Sequence, residues 1–225
     1  MNKIVLHHGS KIKLKKPIYG AGKAYNDYGV GFYCTEHIEL AKEWACNEQI
    51  DGYANKYELD MDGLNVLDLS SKQYTILHWL ALLIDNRTVR ASTPITKRGV
   101  QWLKEYFLID ISVYDVIIGY RADDSYFSFA RAFLANEISL GQLSYAMKLG
   151  KLGEQYVLKS EKAFNQIEFK SAEIANHEVY HTLRNNRDEE ARKAYFEELE
   201  KDDIDGIYMR DIIREEIKSY DERLR

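Results

Sequence analysis

The sequence predicts an α+β protein. Three observations carry that expectation: short β-branched and aromatic runs such as those at 4–6 and 114–120, apolar residues at helical spacing between them, and a shift to Glu, Lys, Arg and Ala beyond Ser171. At 225 residues, 45% hydrophobic and 30% charged, the chain has room for one sizeable core or a core with a helical appendage.

In order along the chain, residues 4–10 (IVLHHGS) form an apolar strand ending in histidine, glycine and serine, where a polar group and bare backbone are presented together. Lys11, Lys13, Lys15 and Lys16 alternate with Ile12 and Leu14, the pattern of a solvated strand edge, and Pro17 ends it. The glycine-rich, aromatic stretch at 18–28 has no clear period and reads as a loop.

Residues 27–47 make the most specific demands. Gly29 and Gly31 bracket Val30, so the backbone can bend and approach a ligand closely, and 30–34 has the content of a short strand. Thr35 is a good N-cap, after which Ile38, Ala41, Trp44 and Ala45 recur at helical spacing. Tyr33 on the strand and Trp44 on the helix, with Ala41 one turn before it, make two aromatic walls and a small floor. Such a pair is either a slot or simply core.

Further strands are expected at 53–61 and 64–69. Ser70 to Gln73 has capping-box spacing before a buried helix at 74–84, and Thr96 caps another through Phe107. The apolar run at 114–120 is a buried strand, and Arg121 begins the turn out of it. The Asp123–Asp124 pair could share a proton, but adjacent side chains rarely point the same way, so one is read as the cap of a helix at 125–133. Ser139 and Gln142 make a second capping box for a helix ending near Gly150, and 153–158 is a strand. Beyond, 173–200 reads as one or two amphipathic helices and 203–225 as another, whose stripe of Ile204, Ile207, Tyr208, Ile212, Ile213 and Ile217 needs a covering surface, in this chain or in another protein.

Composition excludes several classes. No apolar run is long enough to span a bilayer, and the N-terminus lacks the features of a signal peptide. Cys34 and Cys46 make no disulfide framework and fit a reducing, cytoplasmic setting. His7 and His8 could ligate a metal, but no CxxC spacing accompanies them and none is expected. A net charge of −5 argues against wholesale adsorption to nucleic acid.

Together the LHHGS and GVGFYCT runs resemble the first two motifs of the ADP-ribosyltransferases of the diphtheria-toxin and poly(ADP-ribose) polymerase type, which carry a His-Tyr-Glu signature; the pattern Gly-x-Gly-Phe-Tyr-x-Thr is similar to an uncharacterised bacterial branch. The resemblance implies a split two-sheet fold forming a cleft at 1–171, with a helical insertion at about 70–150, and a helical extension at 172–225. It implies NAD as co-substrate without a metal. His8 would bind the adenosine ribose, Gly9 the nicotinamide carboxamide, and Tyr33 and Trp44 the two faces of the nicotinamide ring. Ser10, Gly31, Phe32 and Thr35 belong to the same motifs, Ala41 stands where many relatives have serine, and Lys23, Tyr25 and Asp27 lie on the loop that covers NAD. The third motif falls at 154–158, where Gln155 takes the catalytic position, with Glu154 serving only if a bulge shifts the register. The implied activity is mono-ADP-ribosyl transfer to a macromolecular acceptor, protein or nucleic acid, as a toxin or phage-defence effector, with an antitoxin or other partner docking on the helical tail. The rivals are an NAD- or nucleotide-binding module without transfer, and an interaction protein whose slot is core.

Overall fold

The computed structural model describes residues 2–122, 124–149 and 153–224, those at 124–126, 148 and 149 through the backbone alone. The order is β1 (Lys3–Ser10), β2 (Phe32–Thr35), α1 (Ile38–Ala45), β3 (Gly52–Asp60), β4 (Val66–Asp68), α2 (Ile76–Asn86), α3 (Pro94–Tyr106), β5 (Val116–Tyr120), α4 (Asp124–Leu134), α5 (Leu140–Leu149), β6 (Glu154–Leu158), α6 (Glu161–Asn165), β7 (Ile167–Ala175), α7 (His177–Leu199) and α8 (Met209–Arg214), with a 3-10 turn at Glu222–Leu224. The α+β class is as expected. No helix among the described residues is long and apolar enough to cross a membrane.

The strands form one mixed sheet, β4-β5-β6-β2-β1-β3-β7, in which only β4 and β5 are parallel. This corrects the expectation of two separate sheets. The halves are nevertheless weakly joined: β1 and β3 pair at every residue from Lys3 to Ser10, whereas β1 and β2 pair at His7↔Thr35 alone.

Period-two alternation divides the side chains between two cores. Ile117 and Val157 enter the larger, built with α2, α4 and α5; Val116, Tyr156 and Leu158 enter the smaller, with Leu6, Phe32, Cys34 and Tyr57. Helix α2 is buried from Leu77 to Ile84, as an inner helix apolar all round should be. Its cap is Thr75 with His78, not the box at Ser70 to Gln73, and Thr93 rather than Thr96 caps α3, with Pro94 at its first position. The second box is as read: Ser139 N donates to Gln142 Oε1 at 2.8 Å and Gln142 N to Ser139 Oγ at 3.1 Å.

Three expectations change. The Lys11 to Lys16 run is a loop, not a strand edge, because Leu14 N donates to the buried Asn55 Oδ1 (2.9 Å) and Tyr57 Oη donates to Leu14 O, drawing the chain off the sheet. Residues 172–175 belong to β7, so the sheet crosses the boundary at 171 and the first tail helix begins only at His177, capped by Asn176. The tail also lacks a helix spanning 203–225; its stripe folds back, with Met209, Ile212 and Ile217 in the larger core, Trp102 Nε1 donating to Ile217 O at 3.0 Å, and Ile204 left 81% exposed. Most of the surface offered for a partner is covered by the chain itself.

Candidate functional site

The weak seam between β1 and β2 is held by a side chain. His8 Nδ1 lies 2.7 Å from Tyr33 O, and its ring packs on Phe32 at 4.4 Å between centroids. A carbonyl can only accept, so Nδ1 carries the proton and Nε2 is left as an acceptor. The imidazole takes a β2 carbonyl where the strands no longer pair, and the sheet opens from His7↔Thr35 toward Gly9 and Tyr33. His7 points to the opposite face, with Nδ1 buried and unpartnered, so the two imidazoles do not converge on one ion.

Burial holds His7, His8 and His78 below the usual histidine pKa. At these three groups the unfolded chain therefore binds more protons than the folded one below about pH 6.5. Stability should be at its plateau above that pH and fall as pH drops toward the depressed folded values, with more than one proton in the slope. Urea midpoints between pH 5 and 8 check this, and a flat profile would contradict it.

Helix α1 lies directly on bare backbone. A Cβ at Gly9 would collide with Ala41 O and sit 2.8 Å from Ala45 N, and one at Gly52 would sit 2.5 Å from Ala45 Cβ. Ala41 is thus the seat of the helix on β1, not the floor of a slot. Thr35 is not the N-cap either: α1 starts at Ile38, and Thr35 Oγ1 accepts from His37 N at 3.2 Å, fixing the turn into the helix.

Tyr33 faces the α1 side of the sheet. Its hydroxyl donates to Gly29 O (2.6 Å) and accepts from Tyr28 N (3.1 Å), which ties the ring to a loop turned by Gly29 at φ 70°. Lys159 clamps the same loop, donating to Tyr28 O at 2.6 Å and Val30 O at 2.5 Å, and burial lowers its ammonium pKa. Trp44, also on this side, is covered: the Arg121 guanidinium lies 3.0 Å from the indole centroid.

Gln155 is opposite Thr35 in an unbroken β2–β6 register, so it shares the Tyr33 face, and Glu154 falls on the other. The register slip that would have recruited Glu154 does not occur. Gln155 is buried, and its Nε2 donates to Tyr120 O (3.0 Å) and Asp27 Oδ2 (3.1 Å), leaving Oε1 as the acceptor of the amide. Asp27, read as a loop residue over the ligand, is instead buried beneath the site. Ala122 N donates to its Oδ2 at 2.9 Å and Arg87 to its Oδ1 at 3.2 Å, while Arg87 also donates to Ala122 O at 2.8 Å. Burial raises the Asp27 carboxyl pKa, and these donors with the Arg121 charge pull the other way.

The remaining candidates are dispersed. Ser10 Oγ donates to Ile12 O and accepts from Asn55 Nδ2, which fixes the turn after β1. Lys23 and Tyr25 are exposed and meet each other, and Phe32 faces the smaller core. Gly31 is forced by the sheet, since a Cβ there would lie 2.6 Å from Val157 Cγ1. The carboxylates of Asp123 and Asp124 fall outside the described residues and side chains. Arg87, Arg121, Lys159, Tyr28 and Asn55 escaped the sequence reading; a strand-end arginine facing an indole was the one signal within reach. Two clefts among the described residues lie elsewhere: about 570 Å³ beside Ile50, His181 and Arg184, and about 490 Å³ beside Ile18, Tyr19 and Phe164.

Residues 4–169, which hold every strand of the sheet except the first residue of β1 and the end of β7, match the family described as "Protein of unknown function (DUF3990)". The chain belongs to that family. No curated protein and no solved structure matches it.

Proposed function

We propose that the chain is a mono-ADP-ribosyltransferase that uses NAD at the β1/β2 seam. The observation that carries this reading is the opening of the sheet between the two motifs, where His8 holds Tyr33 O and keeps Nε2 as a free acceptor for a ribose hydroxyl. Tyr33, Trp44 and Gln155 come from β2, α1 and β6 on the α1 face of the sheet, while the His8 ring lies on the Phe32 face, so NAD in this reading passes through the opening from one face to the other. In this reading the nicotinamide ring stacks against the two aromatics, each desolvated contact with the cationic ring contributing up to about 2 kcal/mol. Gln155 Oε1 accepts from the second ribose and orients it. The bond between nicotinamide and ribose breaks, the ring leaves neutral with the bonding pair, and the acceptor's nucleophile supplies the new pair and gives up its proton. Without a carboxylate at position 155 the oxocarbenium-like charge is less stabilised, so the chain transfers one ADP-ribose slowly.

A second reading, an NAD-binding module without transfer, is favoured by the engagement of the Gln155 amide in a buried network. Nicotinamide release from NAD separates the two. NAD is expected to raise the melting temperature of the parent, because it binds only the folded chain. Trp44→Ala and Tyr33→Ala should each weaken binding about fivefold or more, roughly 1 kcal/mol. Parent affinity in both variants would remove the slot as the site.

A further inference from the structure

Arg121 leaves the end of β5, and strand order fixes how it reaches Trp44. The sheet runs β5-β6-β2-β1-β3, and α1 rests on the glycines of β1 and β3. Arg121 therefore crosses the ends of β6 and β2, approaching the indole from the side on which Tyr33 and Gln155 stand. It also lies near enough to Asp27 for its charge to lower that carboxyl's pKa. A guanidinium is a flat cation that an indole face attracts, and so is the pyridinium ring of NAD. Both require the same face of one side chain.

Building on the NAD reading above, we propose that Arg121 is a displaceable plug of the Tyr33–Trp44 slot, holding the indole face of Trp44 and yielding it to the incoming ring. Displacing the plug costs the same whatever ring replaces it. A cationic ring recovers that cost by stacking on Trp44, and a neutral ring recovers less. Once cleavage has turned the ring into neutral nicotinamide, Arg121 is the stronger competitor for the indole and returns to it, which drives product out.

The test uses the full chain and two small probes without phosphates, methylnicotinamidium (the cationic ring alone) and nicotinamide (its neutral counterpart), with binding read by calorimetry. Arg121→Ala should bind both more tightly than the parent by the same factor, roughly 3- to 30-fold, the strength of one cation–π contact. Arg121→Lys should fall between, since an ammonium keeps the charge but not the flat stack, and it decides the matter if Arg121→Ala fails to fold. Unchanged or weaker binding of both probes overturns the plug. So does tightening of the cation alone, which would mean that a resident Arg121 repels the ring instead of yielding to it. If NAD stabilises the parent and the variants bind the probes no better, the plug falls and the NAD reading stands. If the probes bind the variants more tightly but no protein releases nicotinamide from NAD, the plug stands and transfer falls. Binding of neither probe nor NAD to any of the proteins sinks both.

Discussion

Gln155→Glu is expected to destabilise the chain by about 3 kcal/mol, even though it restores the acid that the resemblance associates with position 155. The amide is required where it stands. Its Nε2 faces two groups that can only accept, Tyr120 O and the Asp27 carboxylate, and Tyr120 O already receives Tyr28 Oη at 2.8 Å and Trp79 Nε1 at 3.1 Å. A glutamate would put a second buried carboxylate against the first and remove two donors, a like-charge contact added to lost hydrogen bonds. Changing Asp27 to asparagine in the same chain supplies a donor toward residue 155. The rescue should be partial, because the new amide then also faces Ala122 N, which needs an acceptor. A double-mutant cycle by urea unfolding should give a coupling of at least about 1 kcal/mol between the two positions. Strict additivity would mean that the two side chains do not meet. Position 155 thus holds an amide for a reason lying 128 residues away: with the Asp27 oxygens accepting from Ala122 and Arg87 beneath it, the side chain there has to donate.

That dependence shows why some of the site could be read from the sequence and some could not. The strand of Ile4 to Ser10, the β2–α1 unit and the strand of Gln155 were legible because each announces itself locally, by alternation, by glycines around an aromatic, or by an apolar run. Gln155 could be chosen over Glu154 by aligning this strand with the third motif of the transferases it resembles, with period-two geometry sending Glu154 to the other face, and the unbroken register does put the two side chains on opposite faces. Asp27 could not. Its loop sequence looks solvent-facing, and only the meeting of β5, β6 and α2 encloses it with Ala122, Gln155 and Arg87. Strand β7 was missed because, on the edge of the sheet, most of its residues face solvent and carry the charged composition of a helix. The seam posed a different difficulty. That the strands separate is implied by the motifs, but the single pair His7↔Thr35, and the histidine that takes over the next carbonyl, are facts of register.

Gly9→Ala is expected to cost at least about 3 kcal/mol, the upper range for overpacking, because both atoms in the way belong to the backbone of α1 and cannot rotate aside. The helix would have to lift from β1. Trp44 lies one turn beyond Ala41 on that helix, so lifting it also shifts the indole relative to Tyr33, and NAD affinity should fall together with stability. Circular dichroism, urea unfolding and NAD titration of the same variant separate the two roles a glycine can have here. If Gly9→Ala melts with the parent, α1 is not seated on β1 and the placement of Trp44 fails with it. If it keeps parent stability yet loses NAD, the strand's bare backbone is itself a ligand contact, as the resemblance to the transferases implies. Loss of both, with Gly52→Ala behaving in the same way through Ala45, identifies the glycines first as the bed of the helix; their effect on NAD then passes through the position of Trp44.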